Sequence, residues 1–308
     1  MKSIKKITIA LFAILPLVLS SLTANLQVKA EEEYTIGLAI STTNNPFFVD
    51  LQEGVEEAAK EMGATVKIVD AQDDATTQLN GLDDLITQGV DILLINPVDS
   101  DAIVPAIKNA NEAKIPVITI DRNAAEGEVV SLVASNNLDG GKMAAEFIIE
   151  KIGKGAKVIQ LEGVLGASAT NERGEGFEEG AKDQLELIAS QSANFNRSEG
   201  LTVMENLLQA HPDVQAVFAQ NDEMALGAIE AIKAAGLEEE ILVIGFDGND
   251  DGLEAVKEGE LAATIAQQPK EMGHLAVEAA INHLKGEKVE ESIASPLELV
   301  IKDTLEEK

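Results

Sequence analysis

The sequence of 308 residues contains no cysteine and no tryptophan. Without thiols the chain has no disulfide framework and no nucleophilic cysteine, and it offers no cysteine to a lipid anchor. Positive charge is also scarce. The 23 Lys and Arg stand against 54 Asp and Glu, giving a formal net charge of −31. A field of that sign repels nucleic acid and anionic headgroups, so nucleic acid is excluded as a partner; it favours solubility and leaves the fold open. Only three histidines occur. His211 precedes a proline in a turn, while His274 and His283 fall in a late amphipathic stretch, so none follows a strand in the manner of a general base.

Long apolar runs are confined to the start. Ile7–Leu19 is interrupted by Pro16 and is shorter than the about 20 residues a membrane-spanning helix needs. It follows Lys2, Lys5 and Lys6 and precedes Val28-Lys29-Ala30, the layout of a secretory signal cleaved after Ala30. The expected product is a periplasmic, freely diffusing monomer. Residues 31–308 are enough for two ordinary domains.

From Tyr34 short apolar runs alternate with longer amphipathic stretches. Strands are predicted at Thr35–Ile40, Thr65–Val69, Ile92–Ile95, Val117–Ile120, Val129–Val133, Lys157–Leu161, Val214–Phe218, Ile241–Phe246 and Ala262–Ala266. Helical patterns between them include Phe48–Met62, Thr76–Gln88, Gly140–Ile152, Asn171–Asp183, Glu223–Ala235 and Met272–Leu284. Continuous Val/Ile/Leu runs are the mark of strands buried on both faces, so the fold class is α/β with mostly parallel sheets. The strand–helix rhythm repeats from Lys157, which predicts two similar lobes joined by short strand-to-strand crossings. Ligands of open α/β sheets bind beyond the carboxyl ends of the strands.

Planar polar side chains gather at those ends. Asn45 follows the first strand in a polar loop with Pro46, Phe47 and Phe48; Asn96 follows Ile92–Ile95; Asp121 and Arg122 follow Val117–Ile120. A glycine-rich loop leads to Arg173, Gln220-Asn221-Asp222 follows Val214–Phe218, and Asp247 and Gln267 end two further runs. Each presents donors or acceptors in a fixed plane, which suits adjacent hydroxyls on a ring. Phe47, Phe48 and Phe195 stand in polar segments, although aromatics make up only 3% of the chain. A lone Phe of this kind is more often a core cap. Three of them beside planar polar groups suit the apolar face of a sugar.

The blocks Asn44–Phe48, Leu94–Asp101, Pro116–Arg122, Glu172–Phe177, His211–Leu226 and Gly245–Gly248 resemble the ribose-binding branch of the type I periplasmic sugar-binding proteins, which serve bacterial ABC uptake systems. The resemblance implies two lobes, residues 31–135 with 268–296 and residues 136–267 with 297–308, crossing near Ser135, Gln267 and Pro296. It implies that Asn45, Asn96, Asp121, Arg122, Arg173, Asn221, Asp247 and Gln267 hydrogen-bond D-ribose. Phe47 and Phe48 would stack on one face of the sugar and Phe195 on the other. An ABC transporter permease is the implied partner, with a chemoreceptor as a second. No cofactor is implied. Asn171 departs from the family pattern, which often has arginine there, and is expected to orient its loop.

Three rival readings follow from the same residues. Asp247–Glu258 satisfies the EF-hand spacing, but an apolar strand runs straight into Asp247, where an EF-hand needs a helix. No metal is therefore expected. Arg173, Asp121 and Asp247 could form an acid–base set, yet the chain has no nucleophile elbow and no dinucleotide fingerprint, so no enzyme is expected. Within the binding class, allose, galactose or a furanose signal is the alternative ligand.

Overall fold

The computed structural model describes residues 34–306, so the expected signal segment, residues 1–30, lies outside the described residues. The chain opens with β1 (Thr35–Ile40), α1 (Pro46–Glu61), β2 (Thr65–Asp70), α2 (Ala75–Thr87), β3 (Ile92–Ile95), α3 (Val104–Glu112), β4 (Val117–Ile120) and β5 (Ser131–Ser135). It continues through α4 (Asn137–Lys151), β6 (Lys157–Glu162), α5 (Ser168–Ala181), β7 (Glu186–Ser192), α6 (Arg197–Ala210), β8 (Ala216–Ala219), α7 (Asp222–Ala235), β9 (Leu242–Asp247), α8 (Asp250–Glu258) and β10 (Ala263–Ala266). Then come α9 (Pro269–Leu284), β11 (Ser292–Ser295), β12 (Glu298–Val300) and α10 (Lys302–Glu306).

The strands form two six-stranded sheets, ordered β11-β5-β4-β3-β1-β2 and β12-β10-β9-β8-β6-β7. The pairings are parallel except β10 with β12. Alternate residues of each strand feed opposite faces. In the first sheet Ile36, Leu38 and Ile40 pack with Leu51, Val55 and Val277 of α1 and α9, while Ala39, Leu93 and Ile95 pack with Leu82, Leu85 and Ile107 of α2 and α3. The second sheet repeats this, with Phe218 and Ile244 against α4 and α5, and Ile159 and Val217 against α6 and α7. A sheet covered on both faces favours apolar residues along whole strands: all of β3 and β4 is buried, with Thr119 of β4 the one polar member.

The two orders correspond strand for strand, β4 to β9 and β3 to β8 among them. Each sheet reverses its winding at one step, between β1 and β3 and between β6 and β8. That is where an open α/β sheet leaves a crevice beyond its strand ends.

The structure corrects the sequence reading at several points. The strand predicted at Val129–Val133 runs over Ser131–Ser135, because pairing with β4 and β11 sets its register and buries Ser131 and Ser135. β7 escapes the hydropathy signal because it is a half-buried edge strand of sequence ELIASQS. The nine-residue helix α8 was hidden by its four acidic residues. Of the passages between sheets, only β11 to β12 joins strand to strand; β5 runs directly into α4, and β10 into α9.

Candidate functional site

On the first sheet's side, Asn45 caps α1, its Oδ1 accepting from the Phe47 N–H at 3.0 Å, with Pro46 at the first helical position. Phe47 and Phe48 therefore belong to the first turn of a helix and not to a loop. Their rings stand at 87° with centroids 5.1 Å apart, so the pair offers one face and one edge, and both cannot lie flat against one sugar face. Asp121 follows β4 in the left-handed region, φ 64°. Beside it, Arg122 lies 5.0 Å from the Phe48 centroid and 5.4 Å from that of Phe195, and Nη1 donates to the Pro97 carbonyl at 3.1 Å.

Asn96 is buried completely and ties three strand ends together. Its Oδ1 accepts from the Ser41 N–H, and its Nδ2 donates to the Ile120 carbonyl and to Asp121 Oδ2 at 3.3 Å. Gln78 of α2 holds the Asn96 carbonyl in turn, at 2.8 Å.

On the second sheet's side, Arg173 of α5 donates from Nε to Asn137 Oδ1 at 2.9 Å and from Nη1 to the Gln220 carbonyl at 2.6 Å. Its guanidinium lies 3.7 Å from the Phe246 ring centroid. Asn171 is an exposed residue of the same helix, so it orients no loop. Phe195 sits at φ 57°, with its ring so close to Gly163 that a Cβ there would be 2.0 Å away. Asp247 ends β9 at φ 115°, and its Oδ1 accepts from Gln267 Nε2 at 2.9 Å. Asn221 caps α7, accepting from the Met224 N–H, and donates to the Phe195 carbonyl at 3.3 Å.

These groups converge on a small cavity lined by all eleven expected residues except Asn96 and Asn221, together with Ala169. Asn96 and Asn221 stand one layer back, holding Asp121 and Phe195. Sequence reasoning missed Ala169, Asn137 and Gln220. The Gln220-Asn221-Asp222 run was itself a visible signal, but none of its members lines the cavity; Gln220 acts on the site through its carbonyl, which holds Arg173.

Four charges are buried here with 3–4% exposure: Asp121, Arg122, Arg173 and Asp247. They include two of the three arginines in the chain. Burial pushes both carboxyl groups upward, while the neighbouring guanidinium groups pull them down; burial likewise lowers both arginines. The pairs Asp121–Arg122 and Arg173–Asp247 approach only to 3.6 Å, longer than the about 2.8 Å of a direct charge-assisted hydrogen bond. Asp121 Oδ1, Arg122 Nε and Gln267 Oε1 are buried with no hydrogen-bond partner. Such atoms cost free energy unless something supplies the missing bond. A polyhydroxylated ring does so, each hydroxyl donating to a carboxylate and accepting from a guanidinium.

The family profile described as periplasmic binding protein domain matches residues 36–288. A ribose import binding protein of Bacillus subtilis is 59% identical over 269 residues, covering 87% of this chain and 88% of that protein. The ribose import binding protein of Escherichia coli is 52% identical, covering 92% and 95%. Among solved structures, a solute-binding protein of an ABC transporter from Actinobacillus succinogenes, with bound D-allose, superposes with a TM-score of 0.83 at 30% identity, covering 90% of this chain and 100% of that one.

Proposed function

The chain belongs to the periplasmic binding protein family, and on that premise we propose that it captures D-ribose in the cavity between its two sheets and delivers it to an ABC transporter permease. The two lobes of the clamp are residues 31–135 with 268–296 and residues 136–267 with 297–308. Export takes place with removal of the first thirty residues. The protein binds and releases its sugar without chemistry, and a chemoreceptor is a second reader of the loaded form. The observation that carries this reading is the buried quartet of two carboxylates and two guanidinium groups with unmet hydrogen bonds, set among three phenyl rings. The relatives named for ribose import support ribose over larger sugars.

Closure follows from the division of the site. Asn45, Phe47, Phe48, Asp121 and Arg122 come from one half; Arg173, Phe195 and Asp247 come from the other. A sugar held by both sets stabilises the closed arrangement by its differential affinity for it. The test is calorimetry against a panel of monosaccharides, paired with solution scattering. Ribose is expected to bind at one site, more tightly than allose or galactose, and to reduce the radius of gyration while circular dichroism stays unchanged. Tighter binding of another sugar overturns the ligand, and identical scattering with and without saturating ribose overturns the clamp.

A further inference from the structure

Asp222, the first residue of α7, is fully buried but does not line the cavity. Its Oδ1 accepts from Thr264 Oγ1 of β10 at 2.7 Å. Its Oδ2 accepts from two backbone N–H groups, those of Gly248 at 2.8 Å and Asn249 at 3.0 Å. Those donors are the two residues that follow Asp247. Glycines make the room: a Cβ on Gly245 or Gly252 would come within 2.2 or 2.3 Å of an Asp222 carboxyl oxygen.

The turn so gripped is a strained one. Asp247 has φ 115°, outside the regions that side-chain-bearing residues favour, and Gly248 follows at φ 72°. A residue held there persists only where the surroundings over-determine it. Gln267 and Arg173 hold the Asp247 side chain, and the Gln267 N–H donates to the Asp247 carbonyl at 2.8 Å. The two residues after it, Gly248 and Asn249, are held at their N–H groups by Asp222.

We propose that Asp222 is a positioning residue of the sugar site: its carboxyl group clamps the Gly248–Asn249 backbone and so aims the Asp247 carboxyl into the cavity. This rests on the cavity being the ribose site. All three of its hydrogen bonds come from donors, which suits the ionised form, whereas burial opposes that form and raises its pKa to about 7. Glu223 on its own helix and Asp247 from β9 face it as acids, and Arg173 from α5 faces it as a base; Thr264 of β10 and Gly252 of α8 are neutral.

The test is a double-mutant cycle on the full exported protein, read by ribose affinity. Asp222→Ala is expected to weaken binding at least about tenfold, but less than about threefold in an Asp247→Asn background, since contacting groups are non-additive. Asp222→Asn keeps an acceptor oxygen for the two amides and is expected to restore affinity to within about threefold of wild type. Equal losses in both backgrounds, or no rescue by asparagine, overturn the proposal. A second arm needs neither ribose nor the alanine variant. In ligand-free protein the backbone amide resonances of Gly248 and Asn249 are expected to shift together with pH near neutrality, and to stop doing so in Asp222→Asn. If wild type binds no ribose, the ribose assignment fails while this arm still decides on the clamp. Amides that ignore pH in wild type, or titrate alike in both proteins, overturn it.

Discussion

Asp121 at the end of β4 and Asp247 at the end of β9 occupy corresponding places in two sheets of matching strand order, and both have positive φ. Their surroundings differ. Asp121 is backed by the neutral Asn96, and its arginine, Arg122, donates one hydrogen bond to protein and leaves Nε without a partner. Asp247 is backed by a second buried acid, Asp222, and its arginine is bound by Asn137 and Gln220 and seated on the Phe246 ring. In the second half both charged groups are paired with protein and the unmet cavity atom is the neutral Gln267 Oε1. The first half leaves a carboxylate oxygen and a guanidinium nitrogen unpaired, Asp121 Oδ1 and Arg122 Nε. One architecture used twice thus yields an anchored side and a side that waits, which suits a clamp whose closed form depends on its load.

The largest expected effect separates the two arginines. Arg173→Ala strips Asp247 of its counter-charge and leaves Asn137 and the Gln220 carbonyl without their donor. We expect at least about a hundredfold loss of ribose affinity and a clear fall in the melting temperature of the ligand-free protein. Arg122→Ala should cost comparable affinity but a smaller part of the ligand-free melting temperature. Equal melting losses in a thermal scan would erase the distinction between anchored and waiting sides.

A second comparison uses pH. Asp222 has its pKa raised to about 7 from an ordinary 3.8. Between those values the folded protein binds more protons at this site than the unfolded chain does. Its contribution to stability is therefore full below about pH 3.8 and declines as pH rises to about 7. Asp222→Asn removes that decline. The melting temperature of the variant relative to wild type should climb by a few degrees between about pH 5 and about pH 8. Asn96, the counterpart behind Asp121, has no proton to exchange, so a constant difference between Asp222→Asn and wild type would show that the two backing residues are electrostatically alike.

The smallest effect is expected where the halves meet. The Asn123 N–H donates to Ser168 Oγ at 2.8 Å and the Ser100 N–H to the Gly166 carbonyl at 3.0 Å, both across the cleft and both independent of the sugar. Ser168→Ala removes one of these bonds and should weaken ribose binding by roughly threefold to tenfold, the worth of a single hydrogen bond. Titration calorimetry reads it. No change would mean that closure is held by the ligand and the buried quartet alone.

Much of this was legible beforehand. The strands β1, β3 and β4 were predicted to the residue, because strands buried on both faces read as near-continuous apolar runs that stand out from the amphipathic stretches around them. The edge strand β7 and the acidic helix α8 carried no such signal. At the site, the residue types at strand ends announced planar polar chemistry, and nine of the eleven came to line one cavity. Asn45, Asn96 and Asn221 look the same in sequence and all three bond nearby backbone, yet Asn45 alone of them also lines the cavity.

What the sequence by itself determined was the class of fold, the two-part rhythm and the inventory of groups for a sugar, since hydrophobic period and residue type are local properties of the chain. Which strand end meets which, the perpendicular setting of Phe47 and Phe48, and the grip of Asp222 on the turn after Asp247 were decided only by tertiary structure. Those features depend on register, backbone sign and the burial of charge, which arise when segments remote in sequence share the same small volume.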